Sequence, residues 1–179
     1  SEPLAQLFHW MLGMAAVASV GHLSLILNPR GSAWLAAAAF GAIPTVVLVA
    51  GGAYVDLAVV LFVVLSVSAF LRWHEGGGTA WVVLSAFFAG VAAGCKYTAG
   101  LQGLLVAGGV LIVAGLLRRE PRRGLALASM AALVVAAVAC PWWIKNAIYT
   151  GNPLYPFGYS IFGGKGWDAE SAEILSGAL

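Results

Sequence analysis

The sequence holds 179 residues, 61% hydrophobic and 9% charged, with nine Lys and Arg against seven Asp and Glu. Soluble domains carry about a quarter charged residues, so this composition, with a mean hydropathy of +0.94, excludes a water-soluble globule and a disordered chain alike. The formal net charge of +2 is too small for the electrostatic footprint of a nucleic-acid binder.

The few charges divide the chain into runs of membrane-spanning length. Charge-free stretches cover 3–29, 31–55, 57–71, 76–95, 97–117 and 124–144, and five of the six hold at least 20 residues. About 20 apolar residues cross a hydrocarbon core as a helix. The remaining run reaches that length if Asp56 sits among the headgroups. The expected architecture is all-α and polytopic, with about six transmembrane helices over 4–27, 33–50, 54–72, 79–95, 99–117 and 124–146. Strands of a membrane barrel would alternate apolar and polar residues, and these runs are apolar all round.

Taken in order, the first span ends at Asn28-Pro29-Arg30-Gly31-Ser32, a turn in which Ser32 is the expected cap of the next helix. Pro44 falls inside the second span and predicts a kink. Gly51-Gly52 turns the chain into the third, where Tyr54-Val55-Asp56 opens the helix. An anion in a first helical turn is favoured by free N–H groups, so Asp56 reads either as structural or as a carboxylate facing a wet cavity, able to hold a lysine or orient a hydroxyl. Gly76-Gly77-Gly78-Thr79 makes the next turn, with Thr79 as expected cap, and Gly90 and Gly94 form a small-xxx-small pair for close helix packing.

The fourth span closes on Gly94-Cys95-Lys96-Tyr97-Thr98. Lys96 either complements the helix dipole or faces inward as a point charge for phosphate, with Tyr97 as a nearby donor. Gln102 is expected to bond a neighbouring helix. The sixth span runs into Pro141-Trp142-Trp143-Ile144-Lys145-Asn146, followed by Thr150-Gly151-Asn152-Pro153-Leu154-Tyr155-Pro156. An aromatic belt accounts for the tryptophans, but not for the density of Pro, Asn and Lys that restricts the exit.

The remaining polar groups read as structural. His9 and His22, thirteen positions apart on one helix, are expected to be packed or hydrogen-bonded, and Cys95 and Cys140 to be free thiols, a disulfide staying open if their helices touch. Trp73 and His74 are expected as interfacial anchors. Asp168, Glu170 and Glu173 are expected on a short solvated helix. Arg118, Arg119, Arg122 and Arg123 join Arg30 and Arg72 on one side against Lys96, Lys145 and Lys165 on the other, which puts the N-terminus outside by the positive-inside rule.

These motifs together resemble bacterial GT-C membrane glycosyltransferases, the group that includes dolichyl-phosphate-mannose-type and lipid A aminoarabinose-type transferases. The Tyr54-Val55-Asp56-Leu57, Gly90 to Thr98 and Pro141 to Pro156 segments carry the likeness, and Glu2-Pro3-Leu4 through His9 resembles a span that follows the group's first large outer loop. The resemblance implies a partial GT-C-like bundle, in the bacterial inner membrane, that passes a sugar from a polyprenyl-phosphate carrier to an acceptor on the extracytoplasmic face. Its implied partners are the lipid-linked donor and membrane lipids; no cofactor is specified, and a divalent cation is left open. Lys96, Tyr97, Lys145 and Asn146 are the expected phosphate-binding residues, with Asp56 and Tyr54 shaping the sugar or acceptor pocket and no metal ligand assigned. The lack of an initiator methionine and of a closing cap suggests an internal piece of a longer protein, with the group's principal carboxylate upstream, Glu2 not promoted to that role, and the piece alone inactive. Residues 1–150 are expected as the bundle and 151–179 as an extracytoplasmic segment. A transporter with helices broken at Pro44 and Pro141, and a non-catalytic scaffold, are the competing classes.

Overall fold

The computed structural model describes residues 2–52 and 54–177. Ser1, Ala53, and the terminal Ala178 and Leu179, where the sequence shows no cap, lie outside the described residues, as does the side chain of Glu2. Helices occupy each of the six segments expected from the charge spacing: α1 (Glu2–Leu27), α2 (Ala33–Gly41) with α3 (Pro44–Ala50), α4 (Asp56–His74), α5 (Thr79–Cys95), α6 (Gly100–Val110) and α7 (Pro121–Thr150). No strand occurs among the described residues. Two short helices follow, α8 (Tyr159–Phe162) and α9 (Ala169–Gly177).

Among the described residues, four helical stretches are long and apolar enough to cross a membrane, and five if the bent pair counts as one span. The difference from six has two local causes. α5 has 17 residues, about 25 Å of helix against a hydrocarbon core of about 30 Å. The second expected span is two helices, bent by 70°. Pro44 has no N–H to continue the ladder and drives the residue before it out of helical geometry; Ile43 accordingly sits at ψ 124°, and Pro44 starts the next helix. The kink expected there is a break.

Local capping follows the sequence closely at one turn and departs at another. Ser32 Oγ accepts from the Leu35 amide at 3.2 Å, as its position before an apolar run predicts. Thr79, by contrast, is the first helical residue, and the cap before it is Gly78 with no side-chain bond.

The chain divides into two compact units, residues 1–138 and 139–179, so that α7 contributes to both. The core of the first comes from α4 to α7 and the π-helical stretch Leu111–Leu117: Trp73, Val82, Ala86, Ala89, Val106, Val110, Val113, Ala114, Leu127, Ala128 and Ala131. Small residues dominate this list, while Trp34, Leu35, Leu104, Leu116 and Leu133 lie exposed. Lipid is as apolar as leucine, so large side chains gain little by leaving it and small ones gain close backbone packing. Gly90 is such a place. A Cβ there would stand 2.7 Å from Val138 Cβ and 3.0 Å from the Val135 carbonyl oxygen, whereas one on Gly94 would meet nothing within 4 Å. Only one member of the glycine pair is used for packing.

Polar bonds tie the same helices. Ser66 Oγ donates to the Ser85 carbonyl at 2.9 Å and Ser85 Oγ to the Ser66 carbonyl at 2.8 Å, both fully buried. Gln102 Nε2 reaches Ser66 Oγ at 3.4 Å, the interhelical bond expected of it. At the far end of α4, Arg118 Nη2 donates to the His74 carbonyl at 2.9 Å, and the guanidinium stacks 4.9 Å from the Trp73 ring centroid. Trp73 is buried beneath it, an internal packing residue where an interfacial anchor was expected.

In the second unit the acidic tail does form a short helix, α9. Asp168 Oδ1 accepts from the Ser171 amide at 2.8 Å, and the bonds from Ser171 hold the Asp168 carboxyl below the usual aspartate range.

Two outcomes follow from this packing. Gly90→Val should lower thermal stability in detergent by about 1–3 kcal/mol through overpacking, while Gly94→Val stays near wild type, as read from paired melting curves. A carboxyl depressed in the folded state stabilises above its unfolded pKa and loses that contribution as pH falls through the folded value. The Ser171 amide should therefore exchange faster with solvent, relative to its intrinsic rate, once the pH drops below the normal aspartate range, and Asp168→Asn should flatten that response.

Candidate functional site

The site forms where two helix termini of the first unit meet. Asp56 is the first residue of α4, Lys96 the residue that follows α5, and α1 packs along α4. Lys96 leaves the helix in an extended conformation, φ −153° and ψ 133°, which turns its side chain back across the hairpin. Its Nζ donates to Asp56 Oδ1 at 2.8 Å. Their side chains are 46% and 44% exposed, so the pair contributes no more than about 1 kcal/mol to stability. An ion pair this wet and this well aligned is better suited to presenting charge than to holding the fold. Of the roles that sequence allowed for Asp56, the lysine partner is the one the geometry displays. Tyr54 is exposed just before Asp56, and Tyr97 opens the turn Tyr97–Ala99 directly after Lys96.

Beside the pair lies a cavity of about 340 Å³ lined by Ala5, Phe8, His9, Leu12, Tyr54, Val55, Ala58, Phe62 and Cys95. Its walls are apolar, with His9, Tyr54 and Cys95 as the polar exceptions. His9 is 3% exposed, and its Nε2 meets no hydrogen-bond partner. A buried polar atom left unpaired costs about 1–3 kcal/mol. Sequence reading took His9 for a packed or hydrogen-bonded residue; it is packed, with Nε2 unbonded. The signal that would have found it is its depth, two helical turns inside a span, where an ionisable group is a functional suspect.

Lys145 and Asn146 belong to the second unit. They lie on α7, which continues through Pro141 to Thr150 and so extends past the expected end at 146. Lys145 Nζ sits 4.0 Å above the Trp142 ring centroid, a cation–π contact that keeps the ammonium at the surface, while Asn146 is buried. Cys95 and Cys140 are free thiols. Among the described residues no group of three or more His, Cys, Asp or Glu side chains is placed to hold a metal ion.

The restricted exit is organised by the Asn of the Asn-Pro pair that sequence reading took to stiffen it, through side-chain bonds that reading did not foresee. Asn152, fully buried, donates through Nδ2 to the carbonyls of Phe157 at 2.8 Å and Gly163 at 2.9 Å. Its Oδ1 accepts from the Leu154 amide at 2.9 Å. Thr150 Oγ1 donates to the Asn146 carbonyl at 2.8 Å, anchoring the loop to the last turn of α7. One amide thus satisfies three backbone groups that a water-excluding loop would otherwise strand.

The model of a domain of unknown function, DUF8201, matches residues 1–174. The chain belongs to the DUF8201 family. No curated protein and no solved structure matches it. What this DUF8201 chain offers to chemistry is therefore read from its own residues, among them an exposed ammonium–carboxylate pair, an apolar cavity beside it and a buried imidazole with an open valence.

Asn152→Ala strands the Phe157 and Gly163 carbonyls and the Leu154 amide, and should loosen 151–164 while leaving the first unit intact. Limited proteolysis should cut this segment of the variant at least tenfold faster, on the basis of about 1–3 kcal/mol per unsatisfied group, with unchanged protection of residues 56–95.

Proposed function

We propose that this protein is an integral membrane glycosyltransferase, or a piece of one, of the GT-C type, moving a sugar from a polyprenyl-phosphate donor to an acceptor at the extracytoplasmic face of a bacterial inner membrane. In this reading the six helical segments are six spans with the N-terminus outside, α5 crossing where the bilayer is locally thin and α2 with α3 forming one broken span. The observation that carries the reading is the Lys96–Asp56 pair, 2.8 Å apart and half exposed, beside an apolar cavity. Attack by an acceptor hydroxyl on an anomeric carbon develops negative charge on the departing lipid phosphate. Lys96 is a point charge suited to that phosphate, and Asp56 keeps it oriented until the ligand arrives. Tyr97 supports it as a hydrogen-bond partner, and Tyr54 with Asp56 shapes the sugar or acceptor pocket. Lys145 and Asn146 are assigned a second contact to the phosphorylated carrier.

The break between α2 and α3 favours a second reading. Discontinuous helices around an internal site are a transporter device, and the bend of 70° borders a cavity of about 480 Å³ lined by Trp10, Met14, Trp34, Val46 and Leu57 among others. That cavity is almost wholly apolar and carries no ionisable group, which suits a lipid tail better than a transported ion.

Full-length protein in nanodiscs, supplied with polyprenyl-phosphate sugars, tests the assignment. Lys96→Ala and Lys145→Ala should each raise the KM for the carrier by about tenfold or more, the value of a lost charge-assisted hydrogen bond. Unchanged transfer kinetics in both variants would remove the phosphate role. Accessibility labelling that puts Arg118 to Arg123 and Trp142-Trp143 on one side of the bilayer would remove the topology.

A further inference from the structure

We infer that the His9 cavity is a binding site for a single-chain anionic amphiphile, with the chain lying against Phe8, Leu12 and Phe62 and the headgroup taken by His9 Nε2 and Lys96. Three independent observations converge on it. The cavity, about 340 Å³, is bounded mainly by apolar side chains of α1 and α4. A membrane-embedded space with such walls is filled by hydrocarbon rather than water. Its one deeply buried polar group is the imidazole of His9, 97% removed from solvent by the 3% exposure that remains, with Nε2 unpartnered. A nitrogen in that position is satisfied by an oxygen brought in from outside. The third observation is charge. Cys95 and Val55, both in the wall, are the chain neighbours of Lys96 and Asp56, whose side chains pair at 2.8 Å, so the charged pair borders the cavity along the chain. The proton is assigned to Nε2, which makes His9 a donor like the ammonium, and an oxygen acceptor carrying negative charge satisfies the two together.

A neutral headgroup would answer His9 alone and leave Lys96 to Asp56. An inorganic anion would answer Lys96 and leave the apolar walls bare. The combination selects an alkyl or prenyl chain with a phosphate-like head. This deepens the glycosyltransferase reading by adding His9 as a headgroup contact, and it rests on that reading only for the identity of the natural lipid.

Cys95 supplies a readout that does not involve sugar transfer, because it lies partly exposed in the cavity wall. The full-length protein in nanodiscs is treated with N-ethylmaleimide, and Cys95 alkylation is followed by peptide mass spectrometry. Decyl phosphate should slow the reaction, decanol should require at least about tenfold more for the same protection, and inorganic phosphate should give none. His9→Phe should raise the half-protecting concentration of decyl phosphate by about tenfold, and His9→Gln, which keeps a donor, by no more than about threefold. An unchanged ligand-free alkylation rate certifies that each variant is folded. The Nε2 ¹⁵N shift of His9 in the wild-type protein should move on adding decyl phosphate, a measurement that needs no substitution. Equal protection by decanol, protection by phosphate alone, an unaltered His9→Phe response, or a static Nε2 shift would each overturn the site. Protection without sugar transfer would keep the site and dismiss the transferase, and transfer without protection would do the reverse.

Discussion

Helices in lipid have no hydrophobic reason to leave it, so what holds this bundle is close approach and the few polar groups that approach allows. The α4–α5 hairpin shows the rule most clearly. Ser66 and Ser85 each bond the other's backbone carbonyl, and Gly90 lets the 121–138 part of α7 lie against α5. With the two helices fixed at mid-length, their ends are no longer free to choose where they go. The start of α4 and the finish of α5 arrive together, and Asp56 meets Lys96 as a consequence. The charged pair is placed by an uncharged clamp.

That order of causes matters for function. A half-exposed ion pair is a weak fastener and an available electrostatic surface, so its value lies in what it offers to a third group. The adjacent His9 cavity gives the pair a direction. Apolar walls with the His9 imidazole among them, and a cation that follows Cys95 of the wall in sequence, are what the proposed reading matches to an amphiphile with an anionic head. The opposite end of α4 is built differently, with Arg118 consumed by the His74 carbonyl and the Trp73 ring. One end of the hairpin is closed by its cation and the other presents one.

Sequence reading reached the helices because charge spacing and span length are one-dimensional properties. The runs between Glu2, Arg30, Asp56, Lys96 and Arg118 mark them out, and Ser32 and Pro44 punctuate them as their chemistry dictates. It reached Asp56 and Lys96 as suspects, since ionisable residues at span ends are few. It missed the Ser66–Ser85 clamp because serines are common in apolar helices and nothing local says which two will face each other. It passed over His9 for the reverse reason: a lone histidine has many bland explanations, and only the absence of a partner in three dimensions removes them. Asn152 stood in a quoted motif, yet its task depends on carbonyls five and eleven residues onward.

By itself, then, the sequence determined the solvent, the all-helical class and the places where chain direction changes, because each of these is set by local composition against the length of a bilayer. Tertiary structure alone decided that the second span breaks into two helices, that Asp56 and Lys96 pair across forty residues, and that one buried imidazole faces a cavity with nothing to bond. Contacts between distant segments depend on how helices rotate about their own axes. In a chain that is apolar on every face, no periodic pattern records that rotation, and only packing sets it.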